Sequence, residues 1–512
     1  MNKKFRLGLT AVLAGSLLLA GCGGGDKPAA NGGDNAPKTG GSLNIAINAD
    51  PPKLDPSFST ALVERQVFQS LYDTLLELKP DGTLAGELAE KWEVSEDKKT
   101  YTFKLRQGVK FHDGTDFNAE AVKFNFERYM DKASTRRAEL EAVENVSAVD
   151  ANTVKVTLKK PFAPFLSVLA DRAGMMVSPA AVKKYGEDFV NNPVGTGPFK
   201  FKERVKGDKL VLEKNPNYWQ KGLPKLDSVT YKVINSSDVQ LVNLKSGQVD
   251  IIDKFPDKEV DNVKNDPKIK VINELSYAFQ GIHINVTKPP FDKKELRQAV
   301  DLLIDREAIV KVALHGTGAP AHSPFAKGHF AYGDSDKAPK PDLAKAKELL
   351  AKAGVPNGFS FTLTISTTPL NQQIGSLIQG MLKPAGIDVQ LEKVEFGQML
   401  EKGKAVNHQA LMLGWSGRPD PDQNIYQFMK TKEPNNYTGY SNTKVDELLL
   451  AARTETDTTK RKGIYDEAMK ILNDELPYIY TYHEANLLGF SKSVQGFEYV
   501  PDGLIRTANL SK

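Results

Sequence analysis

Apolar and polar residues alternate with a period of two in several short stretches. Leu43, Ile45 and Ile47 are separated by polar or small residues. Tyr101, Phe103 and Leu105 alternate with Thr102, Lys104 and Arg106, and Val154, Val156 and Leu158 with Lys155 and Thr157. This spacing predicts strands with one buried face. Elsewhere the period is helical. Asn118 can cap a helix carrying Val122, Phe126 and Tyr129 on one face, with Phe117 stapled against Val122. Asp292 and Glu295 form a capping-box pattern, flanked by the staple Phe291–Leu296, before the stripe Leu296, Val300, Leu303 and Ile304. Asp342 opens another helix, with Leu343, Ala346, Leu349 and Leu350 predicted inward and Gly354 as its stop. An alternating strand over 359–365, a helix to Gly386 and a strand over 387–391 follow. Strand–helix alternation predicts an α/β architecture in the second half. No fixed-period repeat is present.

A length of 512 residues exceeds what one core accommodates, so at least two domains are expected. The chain opens with Lys3, Lys4 and Arg6, then an apolar run from Leu7 to Leu19, too short for a permanent span, then Leu19-Ala20-Gly21-Cys22. This resembles the bacterial lipoprotein signal. The resemblance implies a leader over 1–21, lipid on Cys22, and an extracytoplasmic protein anchored to the cell membrane, on a periplasmic face or a Gram-positive surface. An ordinary secretory leader is the other reading. Residues 22–41, rich in Gly, Asn, Asp, Pro and Ala, are expected to be a flexible tether. Cys22 is the only cysteine, which excludes an internal disulfide and any thiolate metal site of the mature chain. The formal charge of +4 is small for this length and leaves no basic stripe for nucleic acid.

Enzyme signatures are missing. No His-Glu-x-x-His or Gly-x-Ser-x-Gly pattern occurs, so neither a zinc hydrolase nor a serine hydrolase of those types is supported. Gly195-Thr196-Gly197 lacks the Gly-Lys-Ser/Thr ending of a phosphate loop, and Pro198 removes a donor; it reads as a structural turn. The scattered His283, His408 and His483 could be metal ligands, although isolated histidines are more often surface or satisfied core groups; no metal, cofactor or catalytic residue is assigned. The candidate chemistry is one of binding. Gly414, Trp415, Ser416, Arg418, Asp420 and Asp422 follow the buried-strand run Leu411-Met412-Leu413. Glycine permits close backbone approach, Trp415 supplies a flat wall, and the charges can fix ligand termini. Alternatively, Arg418 pairs with Asp420 or Asp422 in a structural turn. Asp50 and Pro51, just past the first strand, are further candidates, with a plain turn as the competing reading. Asn436 and Tyr437 can line a cleft, and Tyr437 can equally be core.

Ordered stretches carry a wider resemblance. They are Leu88-Ala89-Glu90-Lys91-Trp92, Gly108-Val109-Lys110-Phe111-His112-Asp113-Gly114, Gly195-Thr196-Gly197-Pro198-Phe199, Asn215-Pro216-Asn217-Tyr218-Trp219, Ser246-Gly247-Gln248-Val249-Asp250 and Arg297-Gln298-Ala299-Val300. Taken in order, they resemble the family 5 extracellular solute-binding proteins, the peptide, nickel and opine receptors of ABC importers. The resemblance implies an α/β, two-lobed, periplasmic-binding-protein-like fold of type II with an extra subdomain and a hinge-closing cleft. The first lobe would hold 40–283 plus 485–512, with an inserted subdomain over about 81–193. The second would hold 284–484. It further implies a monomer that is not an enzyme, that captures peptides or peptide-like polar metabolites and that delivers them to ABC permease subunits. A nickel-chelate receptor, with those three histidines as its candidate ligands, or an opine receptor is the alternative within the fold; a secreted hydrolase or a surface sensor is the alternative outside it. Peptide receptors of the family commonly carry Asp three residues after the Trp of this loop, to hold the peptide ammonium. Here that position is Arg418. The segment Ser366-Thr367-Thr368-Pro369-Leu370-Asn371 also lacks the Arg found near it in dipeptide receptors. Asp420 or Asp422 could replace the ammonium clamp from a shifted position; alternatively, Arg418 binds a ligand carboxylate, for which its guanidinium fork is well matched, and the two departures favour an anionic or carboxylate-bearing ligand.

Overall fold

The computed structural model describes residues 40–512. The leader, Cys22 and all but the last two residues of the expected tether lie outside the described residues. Gly40 and Gly41 are already tied to the body: Gly40 N donates to the Lys225 carbonyl (2.7 Å) and Gly41 N to Asp227 Oδ2 (2.9 Å).

The alternating stretches form strands as their periodicity predicts: Ser42–Ile47, Thr100–Leu105 and Thr153–Leu158. Asn118 caps the helix Ala119–Met130 by accepting from Ala121 N at 3.0 Å, and Val122, Phe126 and Tyr129 are buried. The capping box at Asp292 is a correction. That helix runs Lys294–Leu303 and starts one residue later than a cap at Asp292 would place it, after Lys293, whose side chain caps nothing. Two backbone bonds onto the Lys288 carbonyl, from Phe291 and Asp292, hold the preceding turn. Phe291 and Leu296 still share one core. Asp342 does cap Leu343–Lys352, through Lys345 N at 2.9 Å. Leu343, at the first helical position, is exposed rather than inward; Ala346 and Leu350 carry the buried face.

Two long strands organise the body. Ile269–Ile284 and Tyr478–Ser491 run antiparallel beside each other for nearly their whole length. Their first section pairs Ile269 with Ser491 through to Leu275 with Ala485. The register then breaks and resumes at Phe279 with His483. On one side of the break the sheet continues through Ile251–Ile252, Ser42–Ile47, Ser228–Val233, Lys209–Lys214 and Phe199–Val205. On the other side it continues through Ala410–Met412, Ser360–Ser366 and Asp388–Val394. Each half buries its own apolar cluster: Leu43, Ile45, Phe68, Phe199 and Tyr231 in the first, Ile284, Phe291, Leu363 and Ile378 in the second. A separate four-stranded antiparallel sheet, Ala89–Val94, Thr100–Leu105, Thr153–Leu158 and Val143–Asp150 in spatial order, packs on Ala119–Met130 with a third core around Phe103, Phe126 and Phe165. The result is a two-lobed α/β molecule with an added subdomain. Among the described residues, two extended segments join the halves of the sheet, the arrangement expected of lobes that move about a hinge.

Candidate functional site

After Ala410–Met412 the chain continues antiparallel alongside Ile269–Ile284 as far as the register break. Trp415 N donates to the Phe279 carbonyl (2.8 Å), and Phe279 N donates back to the Trp415 carbonyl (3.0 Å). The approach is close enough to require glycine. A Cβ on Gly414 would meet Gln280 Oε1 at 2.2 Å, and one on Gly417, at φ +71°, the Tyr277 carbonyl at 2.2 Å. The loop therefore lies against Tyr277–Gln280, where the lobes meet.

Arg418 is fixed at its backbone by Asn424, whose Oδ1 accepts from Arg418 N and whose Nδ2 donates to the Arg418 carbonyl, both at 2.8 Å. Its guanidinium stacks 4.6 Å from the Trp415 ring centroid. Nη1 donates to Ser416 Oγ (3.1 Å) and the Gly417 carbonyl (2.6 Å). Arg418 forms no ion pair among the described residues. The two aspartates nearby in sequence are engaged elsewhere. Asp420 receives two bonds from Arg461 (2.7 and 2.6 Å), and Asp422 is gripped by Arg453 (2.8 and 3.0 Å). Both carboxylates are buried.

Facing Arg418 is a cluster from the first lobe. Arg65, on the helix Leu62–Leu71, donates its Nε to Asp171 Oδ1 at 3.0 Å, and Arg172 N donates to the same oxygen at 2.8 Å. Arg136 pairs with Glu139 and donates Nη2 to the Ser59 carbonyl (3.0 Å). The groups act on one another. Burial lowers Arg418 to about 10; the like charges of Arg65 and Arg136 push the same way, while Asp171 and Glu139 oppose them. Burial works against the charge of Asp171, yet Arg65, Arg172 and Arg418 hold it well below the usual carboxylate range. Glu139 is raised, chiefly by burial, with Arg136 working against the rise. Arg172 is 4% exposed, and burial foremost lowers it to about 10. Its Nε and Nη1 have no acceptor, nor does Trp415 Nε1. Four guanidiniums thus face two carboxylates, an excess of positive charge with donors in hand. Beside the cluster the lobes touch: Ala163 N donates to the Arg453 carbonyl (2.8 Å), and the Arg453 guanidinium lies 5.5 Å from the Phe162 ring.

The other sequence candidates sit apart from this cluster. Asp50 accepts from Arg204 Nη2 (2.7 Å) and Gly207 N (2.8 Å), and the Pro51 carbonyl takes the same Arg204 nitrogen. Asn436 ties its own turn through the Lys430 and Tyr440 carbonyls, and Tyr437 is buried with Val394, Met399 and Leu411. His483 bonds Asp336 and the Ala278 carbonyl. His283 stacks edge-on to Tyr478, and burial, then His408, lowers it to about 3. No three His, Cys, Asp or Glu side chains among the described residues converge as metal ligands. Sequence reasoning missed Arg65, Arg136, Glu139, Asp171 and Arg172. One signal was available: Asp171-Arg172 is the only charged pair in a largely apolar stretch between Phe165 and Val177.

Two lobes joined by paired crossing strands, with a buried charged cluster beside the crossing, fit an extracytoplasmic solute-binding protein. The model of bacterial extracellular solute-binding proteins, family 5 Middle, matches residues 83–437, and the chain belongs to that family. As a family 5 protein it is the solute-binding component of an ABC importer. It is 34% identical over 510 residues to the glutathione-binding protein GsiB of Escherichia coli (strain 536 / UPEC), covering 97% of each chain. Among solved structures, HbpA2 from Haemophilus parasuis superposes with a TM-score of 0.84 at 28% identity, over 92% of this chain and 99% of that one. The periplasmic binding protein DppA from Helicobacter pylori, in complex with the peptide STSA, superposes with a TM-score of 0.78 at 28% identity, over 92% and 98% of the two chains.

Proposed function

We propose that this chain captures a peptide-like solute bearing carboxylates, with glutathione as the first candidate, and delivers it to an ABC permease while tethered to the membrane through a lipidated Cys22. The observation that carries the reading is Arg418, stacked on Trp415 and free of any ion pair among the described residues, opposite a cluster richer in guanidinium than in carboxylate. A cleft with that balance favours an anion, and its planar forks suit carboxylates. Glutathione carries two carboxylates and one ammonium at neutral pH. Asp171 and Glu139 supply the complementary negative charge for the ammonium. The likeness to a glutathione-binding protein supports the same choice.

The hinge is taken to lie at Leu275–Phe279 on one segment and at His483–Ala485 on the other, where the register breaks. On the first segment this is earlier than the His283–Ile284 boundary that the resemblance implies. Closure then brings Arg418, carried by the second lobe, onto a ligand resting on the first. Calorimetric titration of the purified mature protein with glutathione, and with glutathione amidated on its glycine carboxylate, tests the reading. Tighter binding of the acid is expected. Equal affinity for acid and amide, or no binding of any carboxylate-bearing peptide in a thermal-shift panel, overturns it.

A further inference from the structure

Arg172 poses a physical problem. Its side chain is almost fully enclosed, yet Nε and Nη1 meet no acceptor. Buried guanidinium donors that meet no acceptor are destabilising. Asp171 and Glu139 offset its burial through space, but neither accepts a bond from Nε or Nη1. Asp171 Oδ1 is shared by Arg65 Nε and the Arg172 backbone N–H, and Glu139 is paired with Arg136. The position is nonetheless built with care. Asp171 caps the short turn Arg172–Gly174, and a Cβ at Gly174 would meet the Leu169 carbonyl at 1.8 Å, so the turn admits no side chain there. A guanidinium with unbonded donors on a rigid turn is a preorganised donor for an anion.

We propose that Arg172 is the first-lobe anchor for a ligand carboxylate, distinct from the carboxylate that Arg418 engages from the second lobe, so that the solute is a dicarboxylate bridging the two lobes. The inference rests on the functional reading above and deepens it. The first-lobe contact forms in the open state. Arg418 adds the second on closure, and the ligand then favours the closed form by the free energy of that second contact. A solute with one carboxylate can satisfy one lobe only, so the two subsites together measure ligand length and charge. Each contact is a charge-assisted bond whose loss weakens binding on the order of 10- to 100-fold.

The test is a matrix of affinities for wild type, Arg172→Gln and Arg418→Gln. The probes are glutathione, its glycine ethyl ester, and the analogue in which 4-aminobutyryl replaces the γ-glutamyl group, which keeps the amine and lacks the α-carboxylate. The inference expects Arg172→Gln to weaken glutathione strongly and to have little further effect on one of the two carboxylate-deficient probes. Arg418→Gln is expected to show that insensitivity on the other probe. Circular dichroism of each variant checks folding, and Arg172→Lys, which keeps the charge without the fork, should recover part of the affinity. If wild type binds glutathione while Arg172→Gln weakens all three probes alike, or none, this inference is overturned and the functional reading stands. If wild type prefers another peptide from the panel, the choice of glutathione fails and the same cycle is run with that peptide and its amidated form. If wild type binds no dicarboxylate, both fall.

Discussion

Replacing Asp420 by Asn separates structural from ligand-facing charge in the loop that carries Arg418. Asp420 and Arg461 are buried partners, with side chains 3% and 4% exposed, joined by two bonds of 2.7 and 2.6 Å. Removing one member of such a pair destabilises by about 3–5 kcal/mol, because the other charge stays buried. Arg461 retains bonds to the Ala452 carbonyl (2.8 Å) and Tyr465 Oη (3.1 Å), which places the expected loss near the lower end, about 3 kcal/mol. Urea unfolding of the ligand-free protein measures it. The further change Arg461→Met, made in the same chain, should recover part of the loss by removing the stranded charge. Ligand affinity of the folded Asp420→Asn protein should move by no more than roughly threefold, under about 0.7 kcal/mol. The converse result refutes the reasoning: stability unchanged within about 0.5 kcal/mol while affinity collapses. Asp420 would then be a ligand contact and the Arg461 pair incidental.

Arg418→Gln should act the other way, weakening ligand roughly 10- to 100-fold with little change in ligand-free stability, since its backbone bonds to Asn424 remain; a calorimetric shift below threefold contradicts this. Phe162→Ser removes the ring beneath Arg453 at the touching edge of the lobes, and a loss of about 0.5–1 kcal/mol there should widen the ligand-free molecule in X-ray scattering and weaken binding two- to fivefold; unchanged scattering contradicts it. His283→Phe tests a buried neutral histidine. Its folded value, about 3, lies below the unfolded value, so its contribution is present above about pH 6.5 and is lost as pH falls toward the folded value. By pH 5 the variant should gain about 2 kcal/mol relative to wild type compared with pH 7, read by denaturant melts, and a difference independent of pH refutes the assignment.

The frame was legible in the sequence because its signals are local. Period-two runs such as Tyr101, Phe103 and Leu105, and caps such as Asn118 and Asp342, act within a few residues. The exposed Leu343 and the late start at Lys294 show where a local pattern is overruled, in each case within the first turn of a helix. The loop with Trp415 and Arg418 was readable from its glycines and reversed charge. Its partners were not. Arg65 and Arg136 come from separate elements of the first lobe, and only the fold brings them toward residue 418, with Arg172 joined to them through Asp171. The partners of Asp420 and Asp422 escaped for the same reason: Arg461 and Arg453 lie 41 and 31 positions away. The α/β lobes follow from patterning, whereas a site assembled from both lobes follows from topology.

The central claim is that the cleft retains a carboxylate-bearing, peptide-like solute. It is tested most directly by denaturing protein purified without added ligand and identifying what is released by mass spectrometry. A small peptide-like compound with two carboxylates and a net negative charge is the predicted result. A neutral or cationic compound, recovered in stoichiometric amount, would contradict the account.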